Sequence, residues 1–156
     1  MKRTQVLRRS ELLEALGVEL HELRYWLELE PLASRPTKAR SATHYTPVDL
    51  LFLTVIQALD GGGLKLQTLQ SFSKGLYKLL QQPAGKNDVL EIHQENGASW
   101  KLGPAPVGVE VLELRVPFAP ARRRVLEYTG AHLVAGQTEL NLLAPLRGVA
   151  TRGRGA

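Results

Sequence analysis

Few side chains in this sequence stand at the spacings that reaction chemistry requires. The four histidines, His21, His44, His93 and His132, are scattered, with no His-x3-His pair to chelate a metal. Ser10, Ser34, Ser41, Ser71, Ser73 and Ser99 lack the glycine-flanked elbow that exposes a nucleophilic serine. There is no cysteine, which excludes a disulfide framework, a thiolate metal site and a thiol nucleophile. Gly61-Gly62-Gly63 lacks the Lys-Ser/Thr that would reach phosphates and magnesium, and reads as a hinge between helices. No carboxylate pair has a recognisable catalytic setting. These residues point away from an enzyme and imply neither cofactor nor metal. What remains is attraction to anions. Arg35, Lys38 and Arg40 share one polar segment, Arg122-Arg123-Arg124 is the densest basic run, and Arg152 and Arg154 lie in the tail. Such groups supply the positioning contacts to nucleic-acid phosphates, although the Arg122–Arg124 run reads first as a solvated face, with a phosphate contact as the alternative.

The elements around those residues are helical in the first half. Ser10 is an N-cap candidate for a short helix over 11–16, with Leu12, Leu13 and Leu16 on its apolar side. Gly17 stops it, because glycine takes the left-handed conformation without a Cβ clash. A second helix is predicted over 20–29, with Leu20, Leu23 and Leu27 at 3,4 spacing; Trp26, on the same side, reads as core. Two short helices joined by a tight glycine-containing turn have helix-turn-helix geometry. Thr46 caps a third helix, Pro47 fits its first position, and Asp49 completes a capping box. Val48, Leu51, Phe52, Val55, Ile56 and Leu59 give that helix one apolar stripe. A fourth helix over 66–81 buries Leu69, Phe72, Leu76 and Leu80.

Gln82-Pro83-Ala84-Gly85 then breaks the helical period. Residues 89–94 and 99–102 read as a hairpin around Asn96-Gly97, since both turn residues tolerate positive φ. Residues 109–116 read as a strand, with Leu112, Leu114 and Val116 on one face and Glu113 and Arg115 on the other. Residues 124–128 and 138–143 are further strand candidates, and either also fits a short helix. The fold class expected is α+β: a helix-turn-helix half with four helices over 1–82, a small, mainly antiparallel β module over 83–146, and a basic tail over 147–156. The sheet needs a partner surface, either the fourth helix or a second copy of the chain.

With 156 residues, 44% of them hydrophobic and 22% charged, the chain has an ordinary globular composition. Its net charge of +5 permits an acidic partner. That charge is spread out, at +2 over residues 1–45, +1 over 46–85 and +2 over 86–156, so charge alone does not locate a nucleic-acid face. No apolar run approaches the roughly 18 residues of a membrane span, and no apolar stretch follows the basic N-terminus. A cytoplasmic protein without a membrane partner is therefore expected.

Four pieces in register carry a family resemblance: Ser10-Glu-Leu-Leu-Glu-Ala-Leu-Gly-Val18, Leu23-Arg-Tyr-Trp26, His44-Tyr-Thr-Pro-Val-Asp-Leu50 and Gly63-Leu-Lys-Leu-Gln-Thr-Leu69. Over residues 6–80 the chain resembles the winged helix-turn-helix domain of MerR-type transcription regulators. The resemblance implies sequence-specific binding of double-stranded DNA, with the second helix in the major groove and residues 30–44 as the wing; because one such module offers a small interface, a homodimer on a two-fold site is expected. It implies that Arg24 and Tyr25 contact phosphates, that His21 faces the groove, that Arg35, Lys38 and Arg40 serve the wing, and that Tyr45 closes the wing onto the third helix. Any small-molecule effector is left open. The acidic groups Glu19, Glu22 and Glu28 fit a different role, that of a protein-interaction adaptor on the same scaffold. A DNA-architectural or recombination accessory factor is a third reading.

Overall fold

A computed structural model describes residues 6–35, 44–85, 88–95, 99–107 and 111–136, with the backbone alone for 131–136. In chain order it contains α1 (Arg9–Leu16), α2 (Leu20–Trp26), a 3-10 turn at Leu32–Ser34, α3 (Pro47–Gly61), α4 (Leu66–Gln81), β1 (Val89–Glu95), β2 (Lys101–Leu102), β3 (Val111–Pro117) and α5 (Ala119–Gly136). The class is α+β, as the sequence implied. The chain divides into two compact units, residues 1–125 and 126–156. All side-chain packing discussed below lies within the first. Of the second, the described part is the latter stretch of α5.

Helix α1 begins two residues before the expected start. Arg8, not Ser10, is its cap residue, and the Arg8 N–H donates to the Glu11 carboxylate at 2.8 Å. A carboxylate in the first turn satisfies an orphan amide as well as a serine does, and it also suits the helix dipole. Gly17 ends α1 at φ 67°, as expected. Helix α2 stops at Trp26, short of the expected Leu29, because the chain tightens into turns. The Leu29 N–H reaches the Trp26 carbonyl at 3.1 Å, an i→i+3 bond. Leu29 is nonetheless fully buried.

Helix α3 forms the centre of the unit. Thr46 and Asp49 make the capping box in both directions: the Thr46 N–H donates to Asp49 at 2.8 Å, and the Asp49 N–H donates to the Thr46 hydroxyl at 3.2 Å. Every residue from Asp49 to Ile56 is buried, so α3 is covered on more than one side. Leu12, Leu16, Leu23 and Trp26 from the first two helices and Leu69, Phe72, Leu76 and Leu80 from α4 complete the core.

The sheet is antiparallel with order β2-β1-β3. Leu90 and Ile92 of β1 are fully buried, and β2 rests on α4, as the need for a partner surface required. The contact is close: a Cβ at Gly75 of α4 would lie 2.2 Å from the Leu102 side chain. Strand β3 begins at Val111. Residues 108–110, the Asn96-Gly97 turn, the strand candidate at 138–143 and the basic tail at 147–156 lie outside the described residues.

Residues 124–128, expected as a strand with a short helix as the alternative, belong to α5. Phe118 and Val125 are buried at its start, and two of the three consecutive arginines tie it down. Arg122 Nε donates to both oxygens of Asp88 at 2.8 and 3.0 Å. Arg124 donates to the Ala15 and Leu16 carbonyls at 3.0 and 3.3 Å and to Gln57 Oε1 at 3.2 Å. Gln57 Nε2 donates to the same Leu16 carbonyl at 2.8 Å. Arg124 and Gln57 thus cap the C-terminal end of α1, where carbonyls lack helical partners and a cation is favoured. Local periodicity gave no hint of these bonds, since Arg124 lies 108 residues from Leu16.

Candidate nucleic-acid interface

The exposed face of α2 follows from what its other face buries. Leu23 and Trp26 are held in the core, and the Trp26 indole N–H donates to Asp60 Oδ2 at 2.9 Å, which fixes the helix's rotation against the end of α3. At 100° per residue, His21, Arg24 and Tyr25 then project from the opposite side. All three are exposed, and Tyr25 retains 44% of its surface. The structure therefore brings these three expected site residues together on one open face.

Tyr25 also borders a surface groove lined by Lys65, Gln67 and Gln70 at the start of α4. Sequence reasoning missed these residues. Their signal was present in the Gly63-Leu-Lys-Leu-Gln run, but only the α3–α4 turn carries them to the α2 flank. The acidic neighbours divide by role. The Glu22 carboxylate turns back to accept from the Glu19 N–H at 3.3 Å, so it is part of a helix cap, while Glu28 stands exposed just beyond the helix.

Arg35 departs from its expected role as a wing contact. Its guanidinium grips Asp49 with both terminal nitrogens, the Nη2–Oδ1 bond being 2.6 Å, and also donates to the Tyr77 hydroxyl at 2.9 Å. The Tyr77 O–H in turn donates to Asp49 at 2.6 Å. Burial alone would push the Asp49 carboxyl upward. The bonds from Arg35, Tyr77 and the Thr46 amide outweigh it and hold Asp49 below the ordinary carboxylate range. Burial and the Asp49 carboxylate both push the Tyr77 hydroxyl up, and bonding to Asp49 holds the Arg35 proton more tightly than usual. The guanidinium therefore faces protein partners rather than a ligand.

Tyr45 is buried, consistent with closing the segment rather than touching a partner. Its backbone forms an antiparallel bridge with Leu7, at 2.7 and 2.8 Å. Lys38 and Arg40 lie outside the described residues. Among the described residues no group of histidines and carboxylates could hold a metal ion, and no helix is long and apolar enough to cross a membrane. His93 is buried in the sheet, with its Nδ1 3.0 Å from the Gly103 carbonyl.

A short helix, a three-residue turn with a left-handed glycine and a second short helix, docked on a long capped helix, define a helix-turn-helix module. Residues 7–75 match the model of the MerR HTH family regulatory protein, so the N-terminal part of the chain is similar to that family's helix-turn-helix domain. The match ends within α4 and leaves the sheet and α5 outside it. No curated protein and no solved structure matched the chain.

Proposed function

We propose that this protein binds duplex DNA sequence-specifically and regulates transcription, as a homodimer, with α2 in the major groove and residues 30–44 as a wing. The observation that carries the reading is the open face of α2, where His21, Arg24 and Tyr25 share one side. Arg24 supplies a cation and Tyr25 a hydroxyl, the donors that phosphate contacts use. Lys65, Gln67 and Gln70 extend the same surface. Arg35 and Tyr45 anchor the two ends of the stretch that contains Lys38 and Arg40, through Asp49 and Leu7 respectively. In this reading Arg35 positions the wing and Lys38 and Arg40 touch the backbone.

The test is retardation of duplex DNA at about 50 mM salt, where counterion release favours binding. Arg24→Ala should weaken binding to every sequence alike, by about tenfold or less, because a phosphate contact carries no sequence information. Equal affinity of this variant and the parent would sink the docking mode.

A second reading has its own support. The α2 flank carries Glu19, Glu22 and Glu28 beside the single Arg24, all exposed, and carboxylates repel phosphates. If the protein fails to retard random duplex at low salt, an adaptor that docks a basic protein partner on this flank takes the place of the DNA reading.

A further inference from the structure

The outer strand of the sheet presents a self-complementary edge. Among the described residues the order β2-β1-β3 gives β3 one neighbour. The Gly103 N–H donates to the Glu91 carbonyl at 2.8 Å, so the Glu91 backbone faces β2. Alternation along an antiparallel strand then turns Leu90, Ile92 and Gln94 toward β3. Ile92 stands opposite Leu114, so Leu114 bonds inward, and Glu113 and Arg115 turn their N–H and C=O groups outward. That row, unpaired among the described residues, is what an added strand recognises.

The sequence of β3 selects the strand that fits. Leu112-Glu-Leu-Arg-Val116 maps onto itself under a two-fold axis through Leu114, with Val111 falling opposite Pro117. Leu112 then meets Val116, and Glu113 meets Arg115 twice, once on each side of the axis. An axis through Glu113 or Arg115 would set like charges against each other. Leu112 is 62% exposed, a large apolar side chain left in water beside this edge. Proline, which would guard an edge by removing a donor, stands only at the end of the strand, at Pro117.

We propose that β3 is the contact between two copies of this chain, paired antiparallel about Leu114 so that two three-stranded sheets become one six-stranded sheet. The inference rests on the homodimer reading above and specifies its surface and register. Glu113 and Arg115 exchange backbone bonds and charge with the partner's Arg115 and Glu113, and Leu112 covers the partner's Val116. The interface is isologous and closes at two copies.

The test is the sedimentation of the full chain at micromolar concentrations without DNA, which keeps it independent of the DNA reading. The parent should be a dimer. Glu113→Arg and Arg115→Glu should each raise the dissociation constant about tenfold or more, since each sets like charges opposite one another twice. Mixed in equal amounts, the two variants should dimerise again, because the mixed pair matches charge at both sites, and a misfolded variant cannot be rescued in this way. The chain has no cysteine, so Leu114→Cys gives one thiol per chain. Across a two-fold, non-hydrogen-bonded pair the Cα atoms lie about 4.5 Å apart, close enough for a disulfide. Leu114→Cys should therefore cross-link on oxidation and Leu112→Cys should not. A parent that stays monomeric overturns both the homodimer reading and this contact. A dimer indifferent to both charge variants keeps the homodimer and overturns the β3 contact. So does a mixture that remains monomeric.

Discussion

At Asp49 a helix cap and a buried ion pair share one carboxylate. It accepts from Thr46, Arg35 and Tyr77 at once, with no exposed surface of its own. Asp49→Asn removes the charge and leaves Arg35 without its counterion. Breaking a buried pair from one side costs about 3 kcal/mol, and Arg35, whose side chain is 30% exposed, moderates that figure. Chemical denaturation should therefore show a loss of about 2 kcal/mol, with helix content retained at low denaturant. The same bonds predict an acid limit. A carboxyl held below its ordinary value of 3.8 in the folded state contributes stability above that pH. That contribution fades as pH falls through 3.8 toward the lower folded value, because the unfolded chain takes up the proton first. Thermal unfolding followed from pH 6 to 3 should show a falling midpoint, and Asp49→Asn should flatten that slope.

At the scale of the elements, the turn between α1 and α2 sets the angle at which the exposed face is offered. Gly17 holds φ 67°, and a Cβ added there would meet nothing within 4 Å. The cost of Gly17→Ala is therefore the left-handed backbone alone, about 1 kcal/mol. The variant should unfold at lower denaturant by that amount, with its near-ultraviolet spectrum preserved. A much larger loss, or an altered spectrum, would mean that the turn does more than reverse the chain. Helix α1 is also held at this same end by Gln57 and Arg124, so the helix-turn-helix is fixed from both α3 and α5.

For the whole molecule, a net charge of +5 without a concentrated cationic block favours DNA only through local contacts. Each phosphate neutralised releases counterions, so the logarithm of the binding constant should fall linearly with the logarithm of salt concentration, by about 0.9 per contact. A dimer offering Arg24 and Lys65 from each copy should show a slope of about −3 to −4, measured by titration between 50 and 200 mM salt. A flat response would count against phosphate contacts and for the adaptor reading. The sheet enters at this scale too, since β2 lies on α4 and α4 lines the groove beside Tyr25.

The sequence determined the pieces whose causes are local. The turn at Gly17, the cap at Thr46, the apolar stripes of α3 and α4, the first hairpin strands and the order of the helix-turn-helix follow from periodicity and residue type within a few positions. The resemblance singles out His21, Arg24 and Tyr25, and the structure leaves all three exposed on one face of α2 because Leu23 and Trp26 are buried on the other. Tertiary structure decided the rest, where a side chain's partner lies far away along the chain. Arg35 reads as a solvated wing cation until Asp49 and Tyr77 are brought beside it, and Arg124 reads as a surface charge until α5 meets the open carbonyls of α1. Residues 124–128 alternate like a strand but fold as helix, with Phe118 and Val125 each buried and Arg122 drawn to Asp88. Charge–charge and capping bonds of this kind depend on distance in space alone, and a linear pattern carries no record of that distance.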